Sequence, residues 1–241
     1  RWEWRLFGLL MVAGAIELSV YAVSASGEAF SLGLLGEALF DTRVGGVWLV
    51  RLVLAFLVVM LVVWAIRRGS AYLWWIATSL GSVLLMTITQ LSHAAAEGRF
   101  LPFLADWLHV IAATFWMGGL LAFPILLLGP LRAMPPETRA ELLGRTVRRF
   151  TRVATIAVIV LLVTGSYAVL LHISSFSDLI GTPYGRALFM ELGLVAFMLP
   201  ICLMNLLDKG RDPFGSMVVL ELILAFGVFA ATGFLSSLPP P

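Results

Sequence analysis

Three histidines are the side chains of this sequence best suited to hold a metal ion, and all three fall near the ends of long apolar runs. His93 lies eight residues before position 101 and His109 lies eight residues after it. If two antiparallel helices meet near position 101, both imidazole rings lie at a similar depth. Neutral imidazole is a common ligand for transition metals, so this pair predicts a two-histidine site.

Each histidine of the pair also has a carboxylate at helical spacing. Glu97 follows His93 by four residues, and Asp106 precedes His109 by three. Residues spaced in this way share one face of a helix. A carboxylate there can fix the tautomer of the imidazole, or it can bind an arriving cation itself. The predicted metal ligands are therefore His93, His109, Glu97 and Asp106, and the alternative is that the two histidines hydrogen-bond to each other or to backbone.

The third histidine and the single cysteine are interpreted differently. His172 ends an apolar run and is interpreted as an interfacial residue outside the ligand set. Cys202 is the only cysteine, so the chain alone cannot form a disulfide or a thiolate cluster.

Methionine thioethers are soft ligands that favour Cu(I). Met86 precedes His93 by seven residues, which is about 10 Å along a helix, so the two cannot share one ion. Met86 and Met190 are therefore possible deeper positions on a metal path, and ordinary packing is the alternative for both.

Charged side chains inside apolar runs form a further group. An unpaired charge in hydrocarbon costs at least ~2.5 kcal/mol, so Glu17, Arg51, Glu191 and Glu221 should face other helices or a wet cavity. The first three fall at the depth of the histidines, where they could pair or line an entrance. A purely structural Glu17 to Arg51 salt bridge is the alternative. Glu221 falls near the opposite side and is interpreted as structural.

The composition identifies the environment of these residues. Apolar residues make up 61% of the chain and charged residues 12%, which excludes an ordinary soluble protein. The net charge of +2 gives no indication of nucleic-acid binding. Apolar runs long enough to span a bilayer predict seven transmembrane helices in one domain over 1–241, an all-α polytopic bundle. The runs are 4–24, 46–66, 71–95, 104–128, 150–172, 186–207 and 216–236.

Two connectors are longer than the others. The segment 26–45 carries acidic residues among apolar ones and is predicted to hold an interfacial helix. The segment 129–149 is predicted to be a strongly basic loop.

The basic residues are divided unequally between the two sides of the predicted bundle. One side collects twelve of the sixteen, and the positive-inside rule makes that side cytoplasmic. The beginning of the chain is then predicted to be cytoplasmic and its end periplasmic. The twelve are Arg1, Arg5, Arg67, Arg68, Arg132, Arg139, Arg145, Arg148, Arg149, Arg152, Lys209 and Arg211.

Several short motifs follow one another along the chain: Ser92-His93-Ala94, Asp106-Trp107-Leu108-His109, Trp116-Met117-Gly118-Gly119, Arg148-Arg149-Phe150-Thr151-Arg152, Thr164-Gly165, Thr182-Pro183-Tyr184-Gly185-Arg186 and Leu238-Pro239-Pro240. Each motif alone is weak. Taken together and in order, they resemble the copper resistance protein D (CopD) family of bacterial inner-membrane proteins, over roughly residues 43–241.

The resemblance implies a multi-pass protein that handles copper, together with a periplasmic copper-binding partner of the CopC type. Trp116 then becomes a candidate for the surroundings of the site. Two features depart from the expected pattern. Position 191 is Glu where Lys is expected, and the family is expected to have about eight spans, which places an eighth span upstream of Arg1.

Three functions are compatible with these residues. The first is a copper-binding membrane protein that takes up copper at its periplasmic face and transports it or hands it on. The second is a membrane redox protein in which His93 and His109 are the axial ligands of a b-type haem. The third is a copper chaperone or oxidase assembly factor without transport. No nucleotide-binding loop and no nucleophile-base arrangement is recognisable, so we expect neither ATP-driven pumping nor enzymatic activity.

Overall fold

A computed structural model describes residues 2–91, 99–128, 130–173, 175–207, 216–236 and 238. In these ranges the chain is helical, and no strand occurs. Backbone groups in hydrocarbon must be hydrogen-bonded within the chain, and helices achieve this locally. The helices are α1 (Trp2–Ser26), α2 (Leu32–Phe40), α3 (Arg43–Arg68), α4 (Ala71–Thr89), α5 (Phe100–Leu128), α6 (Pro136–His172), α7 (Phe176–Gly181), α8 (Pro183–Leu207) and α9 (Ser216–Ser236).

The prediction of an all-α polytopic membrane protein is confirmed. Among the described residues, six helices are long and apolar enough to cross a membrane, and a shorter apolar helix covers Leu220–Ser236. Large apolar side chains face outward along them. On α1, for example, Leu6, Leu9, Ile16 and Val20 recur at helical spacing and are each more than half exposed. Such a stripe is stable when it faces lipid rather than water.

Contacts along the chain separate two compact units, residues 1–107 and residues 108–241. In the first unit, Thr42 caps the start of α3 by accepting a hydrogen bond from Gly45 N, and α3 ends at Gly69 in the left-handed conformation (φ 62°). Glycine adopts this conformation without the steric cost that a Cβ would add. The tight end lets α4 follow α3 directly and pack against it.

The second unit contains most of α5 together with α6 to α9. Its buried core draws Ala112, Trp116 and Leu120 from α5, Ala157 from α6, Met198 from α8 and Ala225 from α9. Gly119 on α5 lies against the ring of Phe150 on α6, so closely that a Cβ at position 119 would overlap that ring. This contact sets how closely α5 and α6 approach.

The basic segment 129–149 differs from its prediction as a loop. Helix α6 begins at Pro136, where proline is favoured because its missing N–H would have no helical partner. The helix has 37 residues, about 55 Å, whereas the hydrocarbon core is only about 30 Å thick. The polar half of α6 therefore extends the fifth predicted span beyond the membrane. Searching for apolar runs alone missed this half.

Candidate functional site

His109 lies nine residues into α5, and its ring meets α6. The distance from His109 Nδ1 to Thr164 Oγ1 is 2.8 Å, and the distance from Thr164 Oγ1 to Val160 O is 2.7 Å. Thr164 is 8% exposed, so this contact is largely shielded from solvent.

The second of these contacts favours one arrangement of the protons in the first. A hydroxyl has one hydrogen, and a carbonyl oxygen can only accept, so Thr164 donates to Val160 O. Thr164 Oγ1 then accepts a hydrogen bond from His109 Nδ1. In the neutral ring, Nε2 is therefore the nitrogen that carries the lone pair. A hydrogen bond of this kind orients an imidazole and selects its ligating nitrogen in many metal sites.

Gly165 completes the surroundings of the His109 ring. A Cβ at position 165 would lie 3.7 Å from Cε1 of His109, which is ordinary van der Waals contact. The Cε1 edge of the His109 ring, between Nδ1 and Nε2, therefore packs over Gly165, which has no side chain. In the sequence, Thr164 and Gly165 stand out only as one of the motifs of the family resemblance, because their contact with His109 depends on the register between α5 and α6.

The other predicted ligands are placed as follows. Asp106 is partly buried on α5, one helical turn before His109. His93 and Glu97 lie outside the described residues, so the pairing of His93 with His109 stays a prediction. Within the described ranges, no group of three or more His, Cys, Asp or Glu side chains is positioned to hold a metal ion.

Trp116 and the methionines occupy different environments. Trp116 is 2% exposed in the apolar core of the second unit, two helical turns beyond His109, and Met117 is also buried there. Met86 is partly buried on α4. Met190 is 67% exposed on α8, where its thioether faces outward like the neighbouring Phe189.

Glu17 and Arg51 form an ion pair in the first unit. The distance from Arg51 Nη1 to Glu17 Oε2 is 2.7 Å, with the Arg51 side chain 12% exposed and that of Glu17 50% exposed. Arg51 also donates from Nε to Thr87 Oγ1 (3.2 Å) and from Nη2 to Thr87 O (3.3 Å). The guanidinium therefore joins α1, α3 and α4.

Glu191 lies in the second unit and has a different set of neighbours. The hydroxyl oxygen of Thr232 on α9 lies 2.5 Å from Glu191 Oε1. Tyr184 at the start of α8 lies close enough to interact electrostatically with Glu191, and its ring centroid is 6.1 Å from that of His172. Glu221, 6% exposed, is buried elsewhere on α9.

The architecture and these polar side chains define a multi-pass helical membrane protein with an oriented histidine and several charged groups inside its spans. The family comparison is more specific. The "Copper resistance protein D" family model matches residues 144–235, and the "Copper resistance protein D-like, N-terminal domain" model matches residues 2–102. The chain belongs to the copper resistance protein D family and is therefore a copper-related membrane protein. Asp106 and His109 lie between the two matched segments.

Two curated relatives named for copper are also similar to this chain in sequence. The chain is 32% identical to "Copper transport protein CutJ" of Bacillus subtilis (strain 168) over 96% of its own length and 43% of that protein. It is 28% identical to "Copper resistance protein D" of Pseudomonas syringae pv. tomato over 83% of its own length and 65% of that protein. The chain thus spans less than two thirds of the length of either relative. No solved structure matches it.

Proposed function

We propose that this protein binds copper at the periplasmic face of the bacterial inner membrane and transports it or hands it on. His109 is the central ligand, and His93, Glu97 and Asp106 complete the site. The observation that carries the proposal is the hydrogen bond from His109 to Thr164, because it orients the ring and places the lone pair of the neutral imidazole on Nε2. Imidazole suits copper, and the names of both relatives refer to copper.

The proposed orientation in the membrane rests on the distribution of charge along α6. Its first half carries the basic residues Arg139, Arg145, Arg148, Arg149 and Arg152 and is too long to lie within the hydrocarbon. Under the positive-inside rule that half is cytoplasmic. Thr164, which holds His109, lies only eight residues before the opposite end of α6. The proposed site is therefore close to the periplasmic surface, where a periplasmic copper-binding protein of the CopC type could deliver the ion.

The chemistry of the proposed function is binding and transfer, without a catalysed reaction. Glu97 and Asp106 attract the cation and bind it beside His93 and His109, and Thr164 orients the His109 ring. Trp116 supports α5 by packing, whereas Met190 faces outward and is left out of the proposed path. The Glu17 to Arg51 pair stabilises the first unit.

Copper movement into proteoliposomes tests the transport part of the proposal. Wild-type protein should accumulate copper in the vesicles, and His109→Ala should abolish this movement. Thr155→Val is the matched control, because Thr155 is an exposed α6 threonine that also bonds to its own helix, at Thr151 O. If wild-type protein binds copper tightly but moves none, the handover function is supported instead. If His109→Ala moves copper as fast as wild type, the proposed site is wrong.

A further inference from the structure

Glu191 is a carboxylate inside a membrane span without a compensating cation among the described residues. It lies eight residues after Pro183, about 12 Å into α8. Glu17, by comparison, is paired with Arg51. In the described part of the chain, Glu191 has no such ion pair, and its side-chain bond is to the neutral hydroxyl of Thr232. Without a cation, the protonated carboxyl competes with the charged form in this environment.

Thr232 can satisfy both protonation states of Glu191 without any movement of heavy atoms. Its hydroxyl oxygen lies 2.5 Å from Glu191 Oε1 and 3.0 Å from Val228 O. When Glu191 is ionised, Thr232 donates its one hydrogen to the carboxylate. When Glu191 is protonated, the carboxyl donates to Thr232 Oγ1, and Thr232 donates to Val228 O. A proton can therefore bind and leave while every group keeps a partner.

A short series of polar side chains leads from Glu191 toward the start of α8. Tyr184 is seven residues earlier on the same face and interacts electrostatically with Glu191. His172, at the end of α6, lies against the Tyr184 ring. Because Ala168 O can only accept, the 2.9 Å contact with His172 Nδ1 places a proton there, which leaves the lone pair of the neutral ring on Nε2.

The remaining charged groups near this end of the second unit are engaged elsewhere or face outward. Asp178 accepts a hydrogen bond from Ser175 N and so caps α7, and Arg186 is exposed on α8. Among the described residues of α6 to α9, Tyr184 interacts electrostatically with Glu191, and the ring of His172 lies beside that of Tyr184.

We propose that Glu191 is a proton-binding site that takes up and releases one proton in each cycle of copper handling. In this proposal, Tyr184 and His172 carry the proton between Glu191 and water. The step is a reversible proton transfer between water and the carboxylate, and it requires no oxidant or reductant. The copper coupling rests on the proposed function. Proton movement would then supply a driving force in a chain without a recognisable nucleotide-binding loop.

Infrared difference spectroscopy tests the proton site directly. The full chain in lipid should show a protonated carboxyl band that titrates with pH. Glu191→Gln should remove this band, Thr232→Val should shift its frequency and midpoint, and Thr232→Ser should restore both. A titrating band that is unchanged in Glu191→Gln, or the absence of any titrating band, would overturn the proton site whatever copper does.

The coupling is measured in proteoliposomes with a trapped pH indicator, with copper added as Cu(I) under a reductant and in parallel as Cu(II). Copper movement by the wild type should change the internal pH, and Glu191→Gln should lose this signal while its copper binding in detergent stays at the wild-type level. An equal pH signal in Glu191→Gln, or copper movement without a pH signal in the wild type, would overturn the coupling. Absence of wild-type copper movement would contradict the transport function instead, and the infrared titration would still decide the proton site.

Discussion

The Nδ1 atom of His109 and the hydroxyl oxygen of Thr164 lie 2.8 Å apart, joining α5 to α6. Because Thr164 donates its hydroxyl hydrogen to Val160 O, its oxygen accepts from His109 Nδ1–H and so orients the imidazole. A residue of the fifth predicted span thus selects the nitrogen through which His109 binds copper in the proposed function.

Removing the Thr164 hydroxyl should weaken copper binding without unfolding the protein. We expect Thr164→Val to lower copper affinity about 10- to 100-fold, because the ring loses the acceptor that fixes its tautomer. Titration with a competing chelator measures this change. Thr164→Ser should retain most of the affinity, and Thr155→Val should retain all of it. Wild-type affinity in Thr164→Val would show that this hydrogen bond does not contribute to binding.

Substitutions at Gly165 should separate packing from access to the His109 ring. Alanine adds a methyl group at 3.7 Å from Cε1, so Gly165→Ala should bind copper nearly as well as wild type. Gly165→Leu places bulk against the ring edge that includes Nε2 and should lower affinity more than loss of the Thr164 hydroxyl does. The same chelator titration applies, with thermal unfolding as a check on folding. Equal copper affinities of Gly165→Ala and Gly165→Leu would argue against Nε2 of His109 as the ligating atom.

Gly118 and Gly119 provide a matched pair of substitutions in α5. A Cβ at position 119 overlaps the Phe150 ring, whereas a Cβ at position 118 meets nothing within 4 Å. Gly119→Ala should therefore destabilise the protein by about 1–3 kcal/mol, and Gly118→Ala should be neutral or slightly stabilising. Unfolding in detergent measures both. Phe150→Leu should recover part of the loss in Gly119→Ala, and equal stability of the two alanine variants would contradict the contact.

The Glu17, Arg51 and Thr87 network should depend more on the arginine than on the glutamate. Arg51→Met removes the ion pair and both bonds to Thr87, whereas Glu17→Gln leaves the Thr87 bonds in place. The free energy of unfolding should fall by about 1.5–3 kcal/mol more for Arg51→Met than for Glu17→Gln. This difference is about the value of one hydrogen bond to a charged group. In a protein that already carries Arg51→Met, the further substitution Thr87→Val should then lower the free energy of unfolding only slightly. If Glu17→Gln is as damaging as Arg51→Met, the Thr87 bonds contribute little.

The spans were predictable because hydrocarbon imposes one simple requirement. A run of about twenty apolar residues must form a helix, and the run 46–66 corresponds to α3 at Arg43–Arg68. The beginning of α6 at Pro136 was not found, because a helix outside the bilayer need not be apolar. Its signals were the proline at the first helical position and Glu137 in the first turn.

The side-chain contacts of the site were only partly predictable. Glu17 and Arg51 could be matched because opposite charges inside spans need partners. The contact of His109 with Thr164 depends on helix register and packing across 55 residues of sequence. The same holds for Glu191 and Thr232, which are 41 residues apart. A threonine inside a span most often bonds to its own helix, so its type alone does not indicate the second partner.

Copper binding by the purified protein tests the central claim most directly. Metal content and X-ray absorption should be measured in detergent for wild type, His109→Ala, His93→Ala and Thr155→Val, with an optical spectrum to detect haem. We predict stoichiometric copper with nitrogen ligation in wild type and Thr155→Val, loss of that copper in His109→Ala and His93→Ala, and no haem absorption band. Undiminished copper binding in both histidine variants, or haem in stoichiometric amount in the wild type, would contradict the assignment of His109 as a copper ligand.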